Sequence, residues 1–282
     1  MNEIQVSENL PTEFSKFNIC ELTQKTLRSQ NINNLFQIQS ATFDYLYEGH
    51  NLIGRDRTGS GKTLAFSLPI LERFRNNNSF KTSSGIKMMI LVPTRELATQ
   101  TFNTFNSIMN HKNEFSILPV YGGTSIYPQI SKLENGVDVL VATPGRLIDL
   151  INRGHMDFSN LEVIVFDETD EMLKIGFQKD IEYILEAINS SHLSSKIQYL
   201  LFSATVPPWV KHIAKDFMQS DYYYINMIRN NLNQTSETIE HFKMKIRNNN
   251  EKIKIIKDLI QVNIGQTGRA IIFIDSKSKN KK

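Results

Sequence analysis

The sequence contains very little cysteine: Cys20 is the single such residue among 282. A fold held together by internal disulfides is therefore excluded, and this composition fits a reducing compartment. Long apolar runs are also missing, because none approaches the roughly 18 residues needed to span a bilayer. The first ten residues lack the basic and then apolar pattern of a signal peptide. The sequence predicts a soluble, intracellular protein with no membrane partner.

The sequence also lacks a large excess of one charge. It has 32 basic and 29 acidic side chains, which give a formal net charge of +3. The last seven residues contain four lysines, and subtracting these four charges leaves −1 for the remainder. The body is therefore not a broadly basic protein that would coat nucleic acid through charge alone. Binding of a polyanion would require a local site.

Short apolar runs rich in β-branched residues recur between about residues 50 and 225, each followed by helical spacing or a helix-start signal. Their continuous apolarity is typical of strands buried on both faces. Strands separated by helices predict right-handed βαβ units. We therefore expect an α/β fold with a doubly wound parallel sheet, whose ligands bind at the carboxyl ends of the strands. The predicted strands are Asn51–Ile53, Lys87–Val92, Phe115–Tyr121, Val137–Val141, Leu161–Phe166, Ile197–Phe202 and Tyr222–Ile225.

The strongest local signal is TGSGKT at residues 58–63, between a short predicted strand and a helix-like segment. Glycines let backbone N–H groups turn around phosphates, and the helix N-terminus adds partial positive charge. Lys62 would reach the terminal phosphates, and the Thr63 hydroxyl would bind Mg²⁺. One departure is Asp56, where the strict pattern has glycine. Its carboxylate would repel a polyphosphate unless it points away or pairs with a neighbouring arginine.

A nucleoside-triphosphate site also needs carboxylates, and DETD at residues 167–170 directly follows the apolar run LEVIVF. Asp167 would hold Mg²⁺ through water, and Glu168 would orient or deprotonate the attacking water. Alone, an acidic cluster is usually a solvated surface or a helix start. Its position after a buried strand, in the same chain as TGSGKT, favours the catalytic interpretation.

Further motifs occur in a fixed order with these two: Phe14, Gln39, PTRELA from Pro93, Gly122-Gly123, TPGR from Thr143 and SAT from Ser203. Together the eight resemble the DEAD-box RNA helicase family of superfamily 2. The resemblance implies a RecA-like P-loop fold, ATP and Mg²⁺ as cofactors, and ATP hydrolysis coupled to local RNA duplex unwinding or remodelling of RNA–protein complexes.

The resemblance also assigns roles to individual residues. It implies that Gln39 recognises adenine, that Phe14 stacks on the base, and that Lys62, Asp167 and Glu168 are catalytic. Thr63 and Asp167 would hold Mg²⁺. The remaining nucleotide contacts would be Arg57, Thr58, Gly59, Ser60 and Gly61, and the residues coupling ATP to RNA would be Asp170, Ser203 and Thr205.

RNA is the expected partner, bound mainly through its sugar-phosphate backbone. The resemblance places it on Pro93, Thr94, Arg95, Gly122, Gly123, Thr143, Pro144, Gly145 and Arg146. Arg95 and Arg146 would offer charge, and the two glycines would permit close main-chain approach. Contacts of this type position a nucleic acid without reading its sequence.

A closer likeness lies in LFQIQ at 35–39, GRDRTGSGKT at 54–63 and SATVPPWVKHIAKDFM at 203–218. These segments resemble the nucleolar RNA helicase II (Gu) type. That subfamily implies work on ribosomal RNA in the nucleus or nucleolus, within ribosome biogenesis.

The family's catalytic core has two lobes, with ATP and RNA bound between them. We expect an N-terminal tail at 1–13, lobe 1 at 14–226, a linker at 227–237, an incomplete start of lobe 2 at 238–275 and a basic tail at 276–282. The predicted elements of the lobe 2 segment are a strand at His241–Ile246, a helix at Glu251–Val262 and a strand at Ala270–Ile274.

No segment resembles motifs V and VI of the family, so we expect weak ATP binding, very slow hydrolysis and no unwinding by this chain alone. Either the sequence is a fragment of a longer product, or it is a natural product in which the single lobe serves as a regulator or is completed in trans by a second lobe or a regulatory protein. The alternative function is a non-catalytic RNA- or protein-binding module.

Overall fold

A computed structural model describes residues 2–4, 6, 10–76, 85–109, 114–191, 197–218, 221–228, 240, 242–246, 251–264 and 268–273. The chain divides into two compact units, Met1–Asn231 and Leu232–Lys282. The linker predicted at 227–237 lies outside the described residues from 229 onward, and so does the basic tail at 276–282.

The described part of the first unit alternates strands and helices along the chain. Its strands are β1 (Asn2–Ile4), β2 (Leu52–Arg55), β3 (Met88–Leu91), β4 (Ile117–Val120), β5 (Val139–Ala142), β6 (Val163–Asp167), β7 (Gln198–Ser203) and β8 (Tyr223–Asn226). Its helices are a 3-10 turn (Phe14–Lys16), α1 (Glu21–Ser29), α2 (Gln37–Tyr47), α3 (Lys62–Asn76), α4 (Arg95–Ile108), α5 (Tyr127–Glu134), α6 (Pro144–Asn152), α7 (Thr169–Ile175), α8 (Gln178–Ser191) and α9 (Pro208–Phe217). None of the described helices is both long and apolar enough to cross a membrane.

The eight strands form one sheet in the order β1-β8-β2-β7-β6-β3-β5-β4, and every neighbouring pair is parallel. Seven of them overlap the seven apolar runs that predict strands. Because neighbours are parallel, their carboxyl ends reach one edge of the sheet; Arg55 pairs with Ser203, and Leu91 with Phe166. The predicted doubly wound α/β fold is confirmed.

Two hydrophobic clusters cover the two faces of the sheet. Alternate residues of a strand enter opposite clusters, as Met88 and Met89 do on β3. One cluster packs the sheet against side chains of α1 to α4, and the other packs it against α5, α6, α8 and α9. Each strand residue of β3, β5 and β6 is buried, which explains why these strands read as continuous apolar runs.

The N-terminus differs from the expected tail. Within residues 1–13, Asn2–Ile4 form strand β1, which pairs in parallel with β8 so that Asn2 faces Tyr223. The segment is too short and too polar to stand out as a strand in the sequence. Its pairing depends on an available edge of the sheet.

The second unit has one described element, α10 (Lys252–Ile264), which matches the predicted helix. The two predicted strands are wrong in their described parts, because residues 242–246 and 270–273 have no strand structure. Apolar side chains there remain exposed, including Phe242 at 87% and Phe273 at 91%. The described part of the second unit contains no strand for these segments to pair with, and an apolar run without a partner strand cannot satisfy its backbone by sheet bonding.

Candidate functional site

The predicted site residues gather at the carboxyl edge of the sheet, in two groups. The loops after β2, β6 and β7 lie on neighbouring strands and carry TGSGKT, DETD and SAT. The loops after β3, β5 and β4 follow along the same edge and carry PTRELA, TPGR and Gly122-Gly123. We call the first group the nucleotide half and the second the RNA half, after the ligands that the sequence predicts for them.

The loop from Asp56 to Gly61 turns sharply from β2 into α3. Gly59 and Gly61 have φ values of +77° and +86°, which side-chain-bearing residues rarely adopt. Lys62 begins the helix, and its side chain is only 4% exposed. The ammonium donates to the carbonyls of Asp56 at 3.1 Å and Arg57 at 2.9 Å. Phosphate oxygens are stronger partners for an ammonium than carbonyls, so this geometry suits an anion inside the loop.

The Asp56 carboxylate is held against the backbone and does not point into the loop as a free negative charge. Its residue is 8% exposed, and its Oδ1 accepts a hydrogen bond from the backbone N–H of Arg57 at 2.8 Å. The backbone N–H of Asp56 donates to the Ser203 carbonyl on β7 at 3.1 Å. The carboxylate is thus turned onto the chain at the start of the loop, which resolves the concern that the sequence raises about this position.

The carboxylates of DETD lie against Lys62. Asp167 ends β6 and is 4% exposed, while Glu168 has the left-handed conformation with φ 52° and ψ 49°. A left-handed backbone at a non-glycine residue is a local strain of the kind that concentrates at functional sites. It lets Glu168 approach Lys62, with Oε1 at 3.4 Å from Nζ.

Burial is the main cause, and the adjacent Glu168 charge a second cause, that together raise the pKa of the Asp167 carboxyl to about 7. The charge of Lys62, the N–H of Glu168 and the hydroxyl of Thr63 act in the opposite direction. The Thr63 hydroxyl therefore lies near the Asp167 carboxylate, and a hydroxyl and a carboxylate are oxygen donors that suit Mg²⁺. A divalent cation would favour the ionised form of Asp167 and offset the cost of its burial. The two residues fit the predicted metal role.

A cavity of about 440 Å³ opens beside the loop, and its lining includes Gln39, Gly61, Lys62, Asp167 and Glu168. The cavity thus joins a predicted adenine-recognition residue to the predicted catalytic residues. The Gln39 amide donates to the Gly61 carbonyl at 3.1 Å, and its Oε1 accepts from the Phe36 N–H at 2.8 Å.

Four of the predicted nucleotide contacts do not line the cavity, namely Phe14, Arg57, Thr58 and Ser60. Among them, Phe14 lies in the core. It is 1% exposed within the hydrophobic core, and Arg28 lies over its ring at 5.7 Å from the centroid. Both faces of the ring are covered, so in this structure it cannot stack on a base. The aromatic side chain that does line the cavity is Phe36, which is 60% exposed. The sequence signal that could have identified Phe36 is its position directly before the helix that carries Gln39.

The three predicted coupling residues are in direct contact. The backbone N–H of Asp170 donates to the Ser203 hydroxyl at 3.2 Å, and the Thr205 hydroxyl donates to Asp170 Oδ2 at 3.1 Å. Asp170 is 7% exposed and Ser203 is fully buried. The acidic loop after β6 is therefore tied to the loop after β7.

The RNA half is more open. Thr94 caps α4 by accepting the Leu97 N–H at 3.2 Å, and this cap places Arg95 at the start of the helix. The Arg95 side chain is 57% exposed and lies over the Tyr121 ring, 5.8 Å from its centroid. Of the other predicted contacts, Gly122, Gly123 and Gly145 are exposed, Thr143 is half-buried, and Pro93 and Pro144 are buried.

Arg146 differs from the predicted free charge. Its side chain is only 10% exposed, and Nη2 donates to the Thr124 carbonyl at 2.8 Å. Nη1 is buried and has no hydrogen-bond partner among the described residues. The guanidinium therefore supports the loop that follows Gly122-Gly123. Sequence reasoning also missed Gln129, whose buried amide contacts the same loop.

Comparison with known proteins gives a consistent result. The family model for the DEAD/DEAH box helicase matches residues 36–213, more than half of the chain. The Mus musculus protein named ATP-dependent RNA helicase DDX50 is 40% identical over 265 residues, covering 94% of this chain and 36% of that protein. Nucleolar RNA helicase 2 of Rattus norvegicus is 37% identical over 281 residues, covering 98% and 35%. The chain spans about a third of the length of these curated relatives.

Comparison with solved structures gives the same result as the comparison of sequences. The fold is similar to a DEAD box protein from the hyperthermophile Methanococcus jannaschii, with a TM-score of 0.69 and 35% identity, covering 90% of this chain and 64% of that one. The yeast DEAD-box splicing factor Prp28 gives a TM-score of 0.70 and 31% identity, covering 78% and 52%. The RecA-like fold class predicted from the sequence is confirmed.

Proposed function

The chain belongs to the DEAD/DEAH box helicase family, and from this membership and the geometry of its sheet edge we propose that it is the ATP-binding lobe of an ATP-dependent RNA helicase. The observation that carries the proposal is the arrangement of Lys62, Asp167 and Glu168 around one cavity that also contains Gln39. The RNA half of the same edge would bind the second ligand.

The phosphates of ATP would occupy the loop before α3. Backbone N–H groups at the helix N-terminus and the Lys62 ammonium would bind the terminal phosphates, exchanging the carbonyls of Asp56 and Arg57 for phosphate oxygens. The base would lie toward Gln39, where the exposed ring of Phe36 offers an apolar wall. Thr63 and Asp167 would hold Mg²⁺, which would neutralise charge on the phosphates.

Glu168 is the candidate for activating the attacking water. It is 19% exposed at the rim of the cavity, so solvent can reach its carboxylate while Lys62 holds it in place. Its ion pair with Lys62 at 3.4 Å would weaken once the ammonium turns to phosphate, which frees the carboxylate to accept a proton from water.

Coupling between the ligands would pass through the contacts of Asp170 with Ser203 and Thr205. RNA would bind across Arg95, Gly122-Gly123 and the N-terminus of α6 through phosphate and sugar contacts, without reading sequence. Hydrolysis would then allow release of a locally opened RNA strand. Four relatives of this chain are named nucleolar RNA helicase 2, 2-A or 2-B, which supports the nucleolus as the setting; ribosomal RNA processing is the role that we propose there.

Turnover would require more than this lobe. We propose that these 282 residues on their own bind ATP weakly and hydrolyse it very slowly. No arginine is among the described residues that line the cavity, and an arginine acting on the transferred phosphoryl group contributes about 10³–10⁵ in rate in related enzymes. A second lobe, or a regulatory protein, would supply it.

A titration with a fluorescent ATP analogue tests the proposal. The chain is compared with Lys62→Ala and with Lys215→Ala, an exposed lysine on α9, with and without single-stranded RNA. We expect Lys62→Ala to weaken nucleotide binding at least tenfold and Lys215→Ala to leave it unchanged. Equal binding by all three proteins would refute the phosphate assignment. Binding of nucleotide and RNA with no hydrolysis even when a second lobe is supplied would favour the non-catalytic module.

A further inference from the structure

Gln129 is a buried polar side chain in the third position of α5, and it is 8% exposed. Its amide nitrogen lies within hydrogen-bond distance of three oxygens of the preceding loop. These are the Thr124 hydroxyl at 3.0 Å, the Tyr121 carbonyl at 3.3 Å and the Ser125 carbonyl at 3.3 Å. One side chain therefore bonds to both ends and the middle of the loop that contains Gly122 and Gly123.

Packing does little to hold this loop. A Cβ built on Gly122 would meet no atom within 4 Å, and one built on Gly123 would meet only Arg95 Nη1, at 3.9 Å. Residues 122 to 125 are all exposed. Two consecutive glycines lose more conformational entropy on ordering than other residues do. The hydrogen bonds from the helix behind the loop are therefore the main restraint on its conformation.

Arg146 restrains the same loop from α6, because Nη2 donates to the Thr124 carbonyl at 2.8 Å. Gln129 and Arg146 thus converge on Thr124 from two helices. Each also keeps one buried polar atom, Gln129 Oε1 and Arg146 Nη1, with no hydrogen-bond partner among the described residues. An unsatisfied buried polar atom destabilises the folded state. A leucine at position 129 would avoid that cost but would lose the three bonds to the loop.

We propose that Gln129 is a positioning residue for RNA binding, which acts through the Gly122–Ser125 loop and does not itself touch RNA. The inference rests on the proposed function of the RNA half. Holding the two glycines in one conformation before RNA arrives removes part of the ordering entropy from the binding step. Gln129 therefore raises RNA affinity without adding charge to the surface.

The main test compares the chain with Gln129→Leu, which keeps the volume and removes the hydrogen bonds, and with Gln178→Leu, an exposed glutamine on α8. Anisotropy of a labelled single-stranded RNA of mixed sequence is measured at several salt concentrations. We expect Gln129→Leu to weaken binding about five- to twentyfold. The slope of affinity against salt stays unchanged, because no phosphate contact is removed. Nucleotide affinity stays within twofold, and backbone hydrogen exchange at 122–125 becomes faster.

Thr124→Val serves as a second variant, because it removes one acceptor at an exposed residue and leaves the core intact. We expect a two- to threefold loss of RNA affinity from it. Wild-type affinity and wild-type loop exchange in both variants would overturn the inference while leaving the proposed function standing. A changed salt slope in Gln129→Leu would overturn it too, since that result would mean a direct phosphate contact. Absence of RNA binding by the unmodified chain would overturn the proposed function and this inference together.

Discussion

The two halves of the sheet edge use charge in opposite ways. In the nucleotide half, Lys62 and Asp167 are each 4% exposed and lie in contact with other polar groups. In the RNA half, Arg95 is 57% exposed and its nearest carboxylate is 3.9 Å away on Glu96. A small triphosphate can be enclosed by buried side chains, whereas a polymer that remains in water can bind only to exposed ones. The burial of each half thus corresponds to the kind of ligand proposed for it.

This difference has an energetic consequence. Charges in a buried site interact strongly, because little water screens them, and removal of one partner leaves the other uncompensated. Exposed charges are screened, and each is worth roughly 0–1 kcal/mol. Substitution of a buried charge in the nucleotide half should therefore have a large effect on nucleotide chemistry, and substitution of an exposed charge in the RNA half should have a small effect that depends on salt.

The largest expected effect is that of Glu168→Gln on ATP turnover. The change keeps the shape of the side chain and removes its ability to accept a proton from water. In a two-lobed version of the protein we expect steady-state ATP hydrolysis to fall about 10²–10⁴-fold, the usual contribution of general acid–base catalysis. RNA affinity should change less than twofold, because the residue lies in the other half of the edge.

Glu171→Gln is the matched control, since that glutamate lies on α7 and pairs with Lys174 at 3.0 Å outside the cavity. Its turnover should equal that of the unmodified protein. Retention of more than a tenth of the ATPase activity by Glu168→Gln would exclude the water-activating role. The two halves would then differ in burial but not in chemistry.

An effect of intermediate size is expected for the pH dependence of the unfolding free energy, to which Asp167 contributes. Burial raises the folded-state pKa of its carboxyl to about 7, above the ordinary value of 3.8. Between these values the folded protein binds a proton that the unfolded chain does not, so stability falls as pH rises from about 4 to about 7. Asp167→Asn cannot ionise. We expect its gain in unfolding free energy over the unmodified protein to be about 1–4 kcal/mol larger at pH 8 than at pH 4 without Mg²⁺, since each pKa unit is worth about 1.4 kcal/mol.

Asp157→Asn provides a control of opposite sign, because hydrogen bonds from Ser159 lower the pKa of the Asp157 carboxyl. Its loss of stability should be larger at pH 8 than at pH 2. Thermal unfolding of the three proteins across this pH range checks both directions. If Asp167→Asn and the unmodified protein had the same pH profile of stability, burial would not raise the pKa of the Asp167 carboxyl.

The nucleotide half could be predicted from the sequence more fully than the RNA half. Lys62, Thr63, Asp167 and Glu168 stand next to strand ends and helix starts, so the strand–loop–helix pattern alone brings them to one edge. The family resemblance groups Asp170, Ser203 and Thr205, and in the structure they meet because β6 and β7 are neighbours. In these cases local structure and position on the sheet decide the geometry.

Side-chain direction could not be predicted in the same way. The resemblance implies that Arg146 offers charge to RNA and that Phe14 stacks on a base, but the first side chain turns toward Thr124 and the second is in the core. No sequence motif marks Gln129. Each outcome depends on which neighbouring helix covers the side chain, and that is a matter of tertiary packing. The exposed segment at 270–273 makes the same point for strands, since it is as apolar as β3 but unpaired among the described residues.

The smallest effect is expected from the arginines of the RNA half, and it separates the two that the sequence treats alike. Arg95→Ala removes an exposed charge and should weaken RNA binding about three- to tenfold, while the slope of log affinity against log salt falls by about one. Arg146→Ala removes a side chain that is only 10% exposed, so we expect a weaker effect on affinity and no change in slope. Anisotropy titrations of both variants at four salt concentrations measure this. Equal slope changes would mean that the Arg146 guanidinium leaves its buried position and binds a phosphate of the RNA. The RNA half would then use a buried charge to bind its ligand, as we propose for Lys62 in the nucleotide half.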